Sequence, residues 1–241
     1  MFESALQAGF ISAGMDVTLL GPLPTPGVSY LANSNNQVGL VISASHNLFE
    51  DNGIKFFNKN GQKFSEELEK RIEVKLTEEM VPVDSINLGK ATRMSDAQER
   101  YIEFCKLPFT DLDLSGLNIL LDCANGATYS VAPKVFTELG ASIEAVAASP
   151  DGININQNCG STNPDFLKDQ MSKGNYDMGI AFDGDGDRIL IISSEGNILD
   201  GDDILFILSQ KLPPNSGVVG TLMTNKACLL YTSPSPRDLY R

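Results

Sequence analysis

Three aspartates alternate with two glycines at residues 183–187 (DGDGD), between two apolar runs at residues 179–182 and 189–192. The apolar runs are typical of strands, so the acidic stretch is predicted to be a loop at a strand end. Like charges about 4 Å apart repel by about 4 kcal/mol at an effective dielectric constant of about 20, and a divalent cation reverses this repulsion. Because oxygen ligands suit magnesium, manganese or calcium, the loop is predicted to bind such a cation, the alternative being a solvated acidic turn. The predicted ligands are Asp183, Asp185 and Asp187.

An EF-hand loop also begins with alternating aspartates, but it needs glycine at loop position 6 and glutamate at loop position 12. Those positions hold Arg188 and Ser194 here, and strands rather than helices are predicted on both sides. The sequence therefore argues against an EF-hand. Arg188 itself has two interpretations, as a bidentate donor to a phosphate ligand or as part of a structural salt bridge.

A second polar segment, residues 43–53, follows a compact apolar strand predicted at residues 38–43. It contains the hydroxyl of Ser45 and the imidazole of His46, and the amine of Lys55 comes shortly after it. No G-x-S-x-G motif surrounds Ser45, and adjacent side chains such as Ser45 and His46 seldom reach the geometry of a nucleophile and its base. From the residues alone, the segment is either a polar turn or a phosphate- or ligand-binding loop.

Helical and strand patterns alternate along the chain, which predicts an α/β fold. Helices are predicted at residues 3–13, 28–32, 65–79, 97–106, 132–139 and 201–211. Strands are predicted at residues 17–20, 38–43, 118–122, 143–147, 179–182 and 189–192, and a further strand at 217–221. Ser65 is the predicted N-cap of its helix, and the proline-rich residues 21–27 are predicted to form a rigid connection.

The formal net charge of −13 limits the partners of this chain, because nucleic acids and anionic membranes would repel it. No apolar run approaches the ~20 residues that cross a bilayer, and the first residues lack the pattern of a signal peptide. The four cysteines form no C-x-x-C pair and are predicted to be reduced thiols. We therefore expect a cytoplasmic protein with no nucleic-acid or membrane partner, and the sequence does not indicate its oligomeric state.

Three segments, in this order, resemble the α-D-phosphohexomutase superfamily. They are Val41-Ile42-Ser43-Ala44-Ser45-His46-Asn47, Gly53-Ile54-Lys55-Phe56-Phe57 and Asp183-Gly184-Asp185-Gly186-Asp187-Arg188. Residues 21–26, 100–106 and 122–128 resemble the bacterial phosphoglucosamine mutase branch, and the resemblance extends over about residues 1–225. The family usually has proline where this chain has Leu48, and this change is expected to loosen the serine loop (residues 43–53) without removing a functional group.

The resemblance implies that Ser45 carries a phosphate and that Mg²⁺ is bound by this phosphoserine and the three aspartates. It implies an isomerase of amino-sugar and cell-wall precursor synthesis, which interconverts glucosamine 6-phosphate and glucosamine 1-phosphate through a bisphosphate. Glucose 1,6-bisphosphate or a similar compound would be the phosphorylating activator, and a hexosamine phosphate the substrate. His46 and Lys55 match family active-site positions, with Lys55 as proton acceptor or charge stabiliser, and Arg188 is the fourth catalytic candidate.

The resemblance also implies a division into phosphohexomutase lobes with mixed sheets flanked by helices. Residues 1–80 are predicted to be domain I with the serine loop. Residues 98–200 are predicted to be domain II with the metal loop (residues 183–187), and residues 201–226 the start of domain III. The first lobe is expected to be incomplete. Residues 227–241 are expected to be a non-native tail, since they resemble translated sequencing-adapter sequence. The chain is therefore expected to be truncated at both ends and to be inactive on its own as a mutase, with no turnover of sugar phosphate.

Three alternatives stay open at this point. The first is a phosphomannomutase or phosphoglucomutase of the same superfamily, and the second is a non-catalytic fragment that binds metal and sugar phosphate. The third is an aspartate-dependent phosphatase, whose nucleophile would be an aspartate after a strand, and this class leaves Ser45 unexplained.

Overall fold

The computed structural model describes residues 1–213, 216–218 and 224, and these fold as alternating helices and strands. The predicted α/β class is confirmed. The elements of the first lobe are α1 (Phe2–Ser12), β1 (Val17–Leu19), α2 (Thr25–Ser34), β2 (Gly39–Ser43), β3 (Gly53–Phe57), α3 (Glu66–Lys75) and β4 (Ala91–Arg93). The elements that follow are α4 (Ala97–Lys106), β5 (Asn118–Asp122), α5 (Ala132–Glu138), β6 (Ser142–Val146), α6 (Pro164–Met171), β7 (Met178–Phe182), β8 (Ile189–Ser193), β9 (Ile198–Leu199) and α7 (Gly201–Ser209).

The two lobes contain different sheets. In the first lobe β1 pairs in parallel with β4, and β2 pairs antiparallel with β3. The second lobe has a five-stranded sheet in the order β6-β5-β7-β8-β9. Its strands β6, β5 and β7 are parallel, whereas β8 and β9 are added antiparallel, so this sheet is mixed as expected.

Strand β5 shows how the second lobe is built. Ile119, Leu120 and Leu121 are at most 1% exposed, because both faces of the sheet are covered. Ile119 and Leu121 pack in the cluster that includes Ala132 of α5, and Leu120 packs on the opposite face in the cluster with Leu167 of α6. This alternation follows the two-residue period of a strand.

The first lobe and the second share part of one core. The buried apolar side chains of α2, β2, β3 and α4 form a single cluster, and Val131, next to α5, is a buried member of it. Val131 therefore packs against side chains of the first lobe, and the two lobes share apolar contacts.

The start of α2 differs from the sequence prediction. The helix begins at Thr25, not at residue 28, so only part of the proline-rich stretch is a connection. Pro26 lies in the first helical turn, where a missing N–H leaves no hydrogen bond unmade. Thr25 therefore lies at the N-terminus of this helix.

The other elements largely agree with the predicted ones. Ser65 caps α3 as expected, and its hydroxyl accepts from the backbone N–H of Leu68 at 3.4 Å. Strands β3, β4 and β9 and helix α6 were not predicted. Strands β4 and β9, with three and two residues, are too short to show a clear period. Residues 219–221 of the predicted strand at 217–221 lie outside the described residues, and 217–218 are not in a strand.

The predicted lobe boundaries stay a prediction, and the proposed tail at 227–241 lies outside the described residues. Within the part that is described, no helix has the length and apolar character that crossing a membrane requires.

Candidate active site between the lobes

The serine loop begins where the hairpin of β2 and β3 opens. Ser43 and Gly53 are the last paired residues, and Lys55 pairs with Val41 on the neighbouring strand. Ser45, two residues beyond β2, has a φ of 55°, a left-handed conformation that a residue with a Cβ adopts at a cost. Its backbone N–H donates to the Ser43 hydroxyl at 2.9 Å. A nucleophile candidate is therefore held in a strained local conformation close to the strand that carries Lys55.

The metal loop connects the antiparallel strands β7 and β8. Asp183 is completely buried at the end of β7, and its Oδ1 accepts from the backbone N–H groups of Asp187 and Arg188, both at 3.1 Å. Gly186 has a φ of 70°, which glycine tolerates, and the chain turns there. The short loop thus folds back on its first carboxylate.

Two glycines allow the metal loop to lie against neighbouring backbone. A Cβ on Gly126 would be 2.3 Å from the carbonyl oxygen of Gly184, and a Cβ on Gly184 would be 2.6 Å from that of Ser45. Both distances are far below van der Waals contact, so a side chain at either position would move the loops apart. The absence of a Cβ lets the serine and metal loops come together from different lobes.

Thr25 is a site residue that the sequence analysis missed. Its backbone N–H donates to the carbonyl oxygen of Asp185 at 2.8 Å, and its hydroxyl donates to Asp185 Oδ2 at 2.5 Å. The N-terminal turn of α2 therefore holds the central aspartate of the metal loop. The available signal was Pro26, because proline favours the first turn of a helix and thereby marks the preceding residue as a candidate donor.

Lys55 joins the two loops. Its Nζ is 2.5 Å from Asp185 Oδ2, 3.5 Å from Asp187 Oδ2 and 3.5 Å from the Ser45 hydroxyl oxygen. Burial disfavours its ammonium form, but the contacts with Asp185 and Asp187 outweigh burial and raise the pKa of Lys55. Lys55 is therefore a cation within reach of the serine.

His46 and Arg188 are less closely tied to this cluster. The Nδ1 atom of His46 is buried and has no hydrogen-bond partner among the described residues. Arg188 is 54% exposed, and its Nε lies 4.0 Å from Asp183 Oδ2 and 3.9 Å from Asp187 Oδ1. These long contacts make a weak ion pair. The catalytic roles of both residues stay predictions.

The three aspartates fit a divalent cation. Each can place one carboxylate oxygen within 4.8 Å of the others. Asp183 Oδ2 and Asp185 Oδ1 are buried without a hydrogen-bond partner among the described residues, which is costly for a carboxylate oxygen. All-oxygen ligands and two unpaired buried oxygens suit Mg²⁺, and Asp187, which is more exposed, would complete the set.

Burial and hydrogen bonds separate the pKa values of the two buried aspartates. The pKa of Asp183 is raised to about 6, mainly by burial. The backbone hydrogen bond from Arg188 lowers this pKa, and the neighbouring carboxylates raise it. Burial also opposes ionisation of Asp185, but the hydrogen bonds from Lys55 and Thr25 outweigh it and lower the pKa of Asp185. A cation at this site would favour the ionised form of both groups.

Mg²⁺ binding is expected to weaken as the pH falls below about 6, because a proton on Asp183 competes with the cation. Between pH 7.5 and pH 5.5 we expect the affinity to fall about threefold to fivefold, since less than half of Asp183 is then ionised. Isothermal titration calorimetry at the two pH values measures this change, and circular dichroism checks that the chain stays folded. Equal dissociation constants at both pH values would contradict the assignment of Asp183 as a ligand.

Replacement of Lys55 by methionine is expected to tighten Mg²⁺ binding by about threefold to tenfold, because the ammonium competes for Asp185 and repels the cation. Calorimetry at neutral pH measures the effect. Lys63→Met is a matched control, since Lys63 is 63% exposed and lies 3.7 Å from Glu69, away from the metal loop. Weaker binding in Lys55→Met than in the control would mean that Lys55 supports the metal ligands instead of competing with the metal.

Comparison with known families matches both lobes. The family model described as phosphoglucomutase/phosphomannomutase, alpha/beta/alpha domain I, matches residues 1–81, and the domain II model of the same family matches residues 99–196. The serine loop and Lys55 lie in the first match, and the metal loop lies in the second.

Individual proteins show the same similarity. Phosphoglucosamine mutase of Legionella pneumophila (strain Corby) is 53% identical over 231 residues, which cover 93% of this chain and 51% of that protein. A crystal structure of a phosphoglucomutase/phosphomannomutase family protein from Burkholderia thailandensis superposes with a TM-score of 0.69 at 26% identity, over 87% of this chain and 47% of that one. N-acetylphosphoglucosamine mutase of Aspergillus fumigatus, solved in complex with GlcNAc-6P and magnesium, shares the fold with a TM-score of 0.52 at 18% identity, over 77% of this chain and 50% of that one.

The chain spans about half the length of the curated relatives it matches. Both matched domain models belong to the same family, and domain I precedes domain II along the chain. The chain therefore belongs to the phosphoglucomutase/phosphomannomutase family, the α-D-phosphohexomutase superfamily, and carries its domains I and II.

Proposed function

We propose that this chain contains the phosphoserine and metal-binding lobes of a phosphoglucosamine mutase. The reaction is the interconversion of glucosamine 6-phosphate and glucosamine 1-phosphate. One observation carries the proposal: the Ser45 hydroxyl, the Lys55 ammonium and three aspartates of the other lobe meet in one cluster. The identity of 53% to a bacterial phosphoglucosamine mutase favours this substrate over those of other family members.

Ser45 is the proposed phosphate carrier. In the first transfer, the O1 oxygen of glucosamine 6-phosphate forms a bond to phosphorus as the bond from phosphorus to Ser45 Oγ breaks. The product is glucosamine 1,6-bisphosphate; the O1 proton passes to a base at the site, and Ser45 Oγ takes up a proton as it leaves. In the second transfer, Ser45 Oγ gives up that proton and takes the phosphoryl group from O6, and O6 takes up a proton. Dividing the isomerisation into two transfers replaces one difficult step by two similar ones.

Lys55 acts in this scheme as a charge stabiliser. Its raised pKa favours the ammonium form, which is unsuited to accepting a proton. The ammonium lies 3.5 Å from the Ser45 hydroxyl oxygen and can therefore contact phosphate oxygens on that serine. Of the two roles expected from the resemblance, charge stabilisation is the one that we propose. His46 and Arg188 are proposed to contact the phosphate or the sugar.

Mg²⁺ is the proposed cofactor, held by Asp183, Asp185, Asp187 and the phosphate on Ser45. When bound, it neutralises charge that develops on the transferred phosphoryl group. Asp183 is fixed for this role by two backbone N–H groups, and Asp185 by Thr25. The protein therefore holds its ligands in place without the cation.

Substrate binding by a chain of net charge −13 requires local cations, because the substrate is also an anion. Lys55, Arg188 and bound Mg²⁺ would supply that local charge. A hexosamine phosphate is the proposed substrate, with glucose 1,6-bisphosphate or a similar compound as the activator that phosphorylates Ser45. The proposed location is the cytoplasm.

Phosphate mapping tests this proposal against a phosphatase and against a fragment that only binds. The chain is incubated with Mg²⁺ and glucose 1,6-bisphosphate, and intact and peptide masses are measured. One added phosphate on Ser45 is expected. Phosphate on Asp183 would instead support an aspartate-dependent phosphatase, and an unmodified chain that still binds the bisphosphate would support a non-catalytic fragment.

A further inference from the structure

The loop between β6 and α6 contributes one buried side chain to the serine loop. Asn156 lies in this loop and is only 7% exposed. Its Nδ2 donates to the backbone carbonyl oxygen of Ser45 at 2.8 Å and to that of Asn47 at 2.7 Å. Because carbonyl oxygens only accept hydrogen bonds, the nitrogen end of the amide must face them. The second lobe thus contacts the serine loop on both sides of His46.

The backbone of Asn156 is itself fixed. Its N–H donates to the carbonyl oxygen of Ala124 at 2.9 Å, and its φ of 57° is left-handed, which asparagine tolerates better than most residues. The buried carboxylate of Asp122 accepts from the N–H of Ala124 at 2.9 Å and from that of Gly160 at 2.6 Å. Asp122 therefore fixes the chain that supports Asn156, and the amide nitrogen has a defined position.

The contacts on the serine side indicate what this position is for. Ser45 is in a left-handed conformation, which must be stabilised by its surroundings. Its carbonyl oxygen is contacted by Asn156 and also lies close to Gly184 of the metal loop. The Asn156 Oδ1 atom is buried and has no hydrogen-bond partner among the described residues. The side-chain hydrogen bonds of this buried amide are therefore the two that its Nδ2 donates to the serine loop.

We propose that Asn156 is a positioning residue for Ser45. By holding the carbonyl oxygens of Ser45 and Asn47, it keeps Ser45 in the conformation that directs the hydroxyl toward Lys55 and Asp185. The lobe that carries the metal ligands thereby fixes the serine loop, so Ser45 keeps a defined position relative to the metal loop. This inference rests on the proposed function for its catalytic consequence, but the contact and its effect on the loop do not.

Three variants test it. Asn156→Gly removes the amide and tolerates the left-handed backbone, and Asn156→Asp keeps the shape but replaces the donor by an acceptor. Asn158→Gly is the matched control, since Asn158 has the same φ of 57° and is exposed. Hydrogen–deuterium exchange is measured for peptides of the serine loop, α2 and β7. Separately, the rate of Ser45 phosphorylation by glucose 1,6-bisphosphate is measured at several concentrations.

Both Asn156 variants are expected to exchange roughly thirtyfold faster in the serine loop, as expected for the loss of two hydrogen bonds of typical net strength. Exchange in α2 and β7 should change no more than in Asn158→Gly. The maximal phosphorylation rate should fall about tenfold or more, with the half-saturating concentration within about twofold of the wild type, because orientation rather than binding is lost.

The exchange experiment and the phosphorylation experiment can each contradict the proposal independently of the other. If serine-loop exchange in the Asn156 variants equals that of Asn158→Gly, or rises equally throughout the chain, the positioning role is overturned. If loop exchange rises while the maximal phosphorylation rate matches the control, the contact exists but does not position Ser45, and the proposal is again overturned. A wild-type chain that takes up no phosphate contradicts the proposed function, whereas the exchange comparison still decides whether Asn156 holds the loop.

Discussion

Replacement of Ser45 by alanine is expected to abolish phosphate uptake from glucose 1,6-bisphosphate. The substitution removes only the hydroxyl group. The distance from Lys55 Nζ to the hydroxyl oxygen is long, at 3.5 Å, so little stability depends on this contact. We expect the free energy of unfolding to change by less than about 1 kcal/mol, as for other substitutions that remove no packed group. Intact mass spectrometry before and after incubation with the bisphosphate and Mg²⁺ measures the uptake.

Two further variants separate loss of the nucleophile from a disturbed loop. Ser45→Gly also lacks the hydroxyl but relieves the left-handed backbone, so it should take up no phosphate and be as stable as wild type or up to about 1 kcal/mol more stable. Ser149→Ala, at an exposed serine outside the site, should take up phosphate as the wild type does. Uptake at the wild-type rate by Ser45→Ala, with the phosphate on another residue, would refute the assignment of Ser45.

The parts of the site that could be predicted from the sequence are local in the chain. The metal loop is five residues between two apolar runs, and its charge repulsion follows from the sequence alone. Ser45 lies two residues beyond the end of strand β2. The contact of Lys55 with Ser45 needs only the hairpin between β2 and β3, but strand β3 was not predicted, so this contact was not predicted either. Contacts of this kind need a correct strand assignment and nothing from the rest of the fold.

The parts that could not be predicted depend on packing between distant segments. Thr25 contacts Asp185, and Asn156 contacts Ser45, although both pairs are more than 100 residues apart in sequence. Neither residue belongs to a motif with its partner, so the sequence gives no reason to pair them. The approach of Gly126 to Gly184 is similar. A glycine shows that the backbone has freedom, but not which neighbour requires it.

The location of the site between the lobes follows from these contacts. The first lobe supplies Ser45, Lys55 and Thr25, and the second supplies the carboxylates and Asn156. Lys55 and Thr25 donate to Asp185 across the boundary, whereas Asp183 accepts from backbone N–H groups of its own loop, so only Asp185 depends on the other lobe. Separation of the lobes would remove the ion pair of Asp185 with Lys55 and its hydrogen bond from Thr25.

Replacement of Asp185 by asparagine is expected to weaken Mg²⁺ binding by about tenfold or more, because the loop loses one of three negative ligands. Asp185 is buried, and its Oδ1 is one of the two buried carboxylate oxygens of the metal loop that have no hydrogen-bond partner among the described residues. The same substitution removes the ion pair with Lys55, at 2.5 Å between Nζ and Oδ2. Calorimetry measures the affinity, and thermal melting with and without millimolar Mg²⁺ gives a second measure, because a ligand raises the Tm only if it binds the folded state.

Asp169→Asn is the matched control for this change. Asp169 also pairs with a lysine, Lys173, at 2.6 Å, but the pair is exposed on α6 and lies outside the metal loop. Its loss should leave the Mg²⁺ affinity and the Mg²⁺-dependent rise in Tm unchanged, since an exposed pair contributes at most about 1 kcal/mol and no metal ligand. Asp185→Asn should lose most of that rise in Tm. If Asp185→Asn binds Mg²⁺ as tightly as Asp169→Asn, the cation does not bind at these three aspartates, and the unpaired oxygens of Asp183 and Asp185 require another explanation.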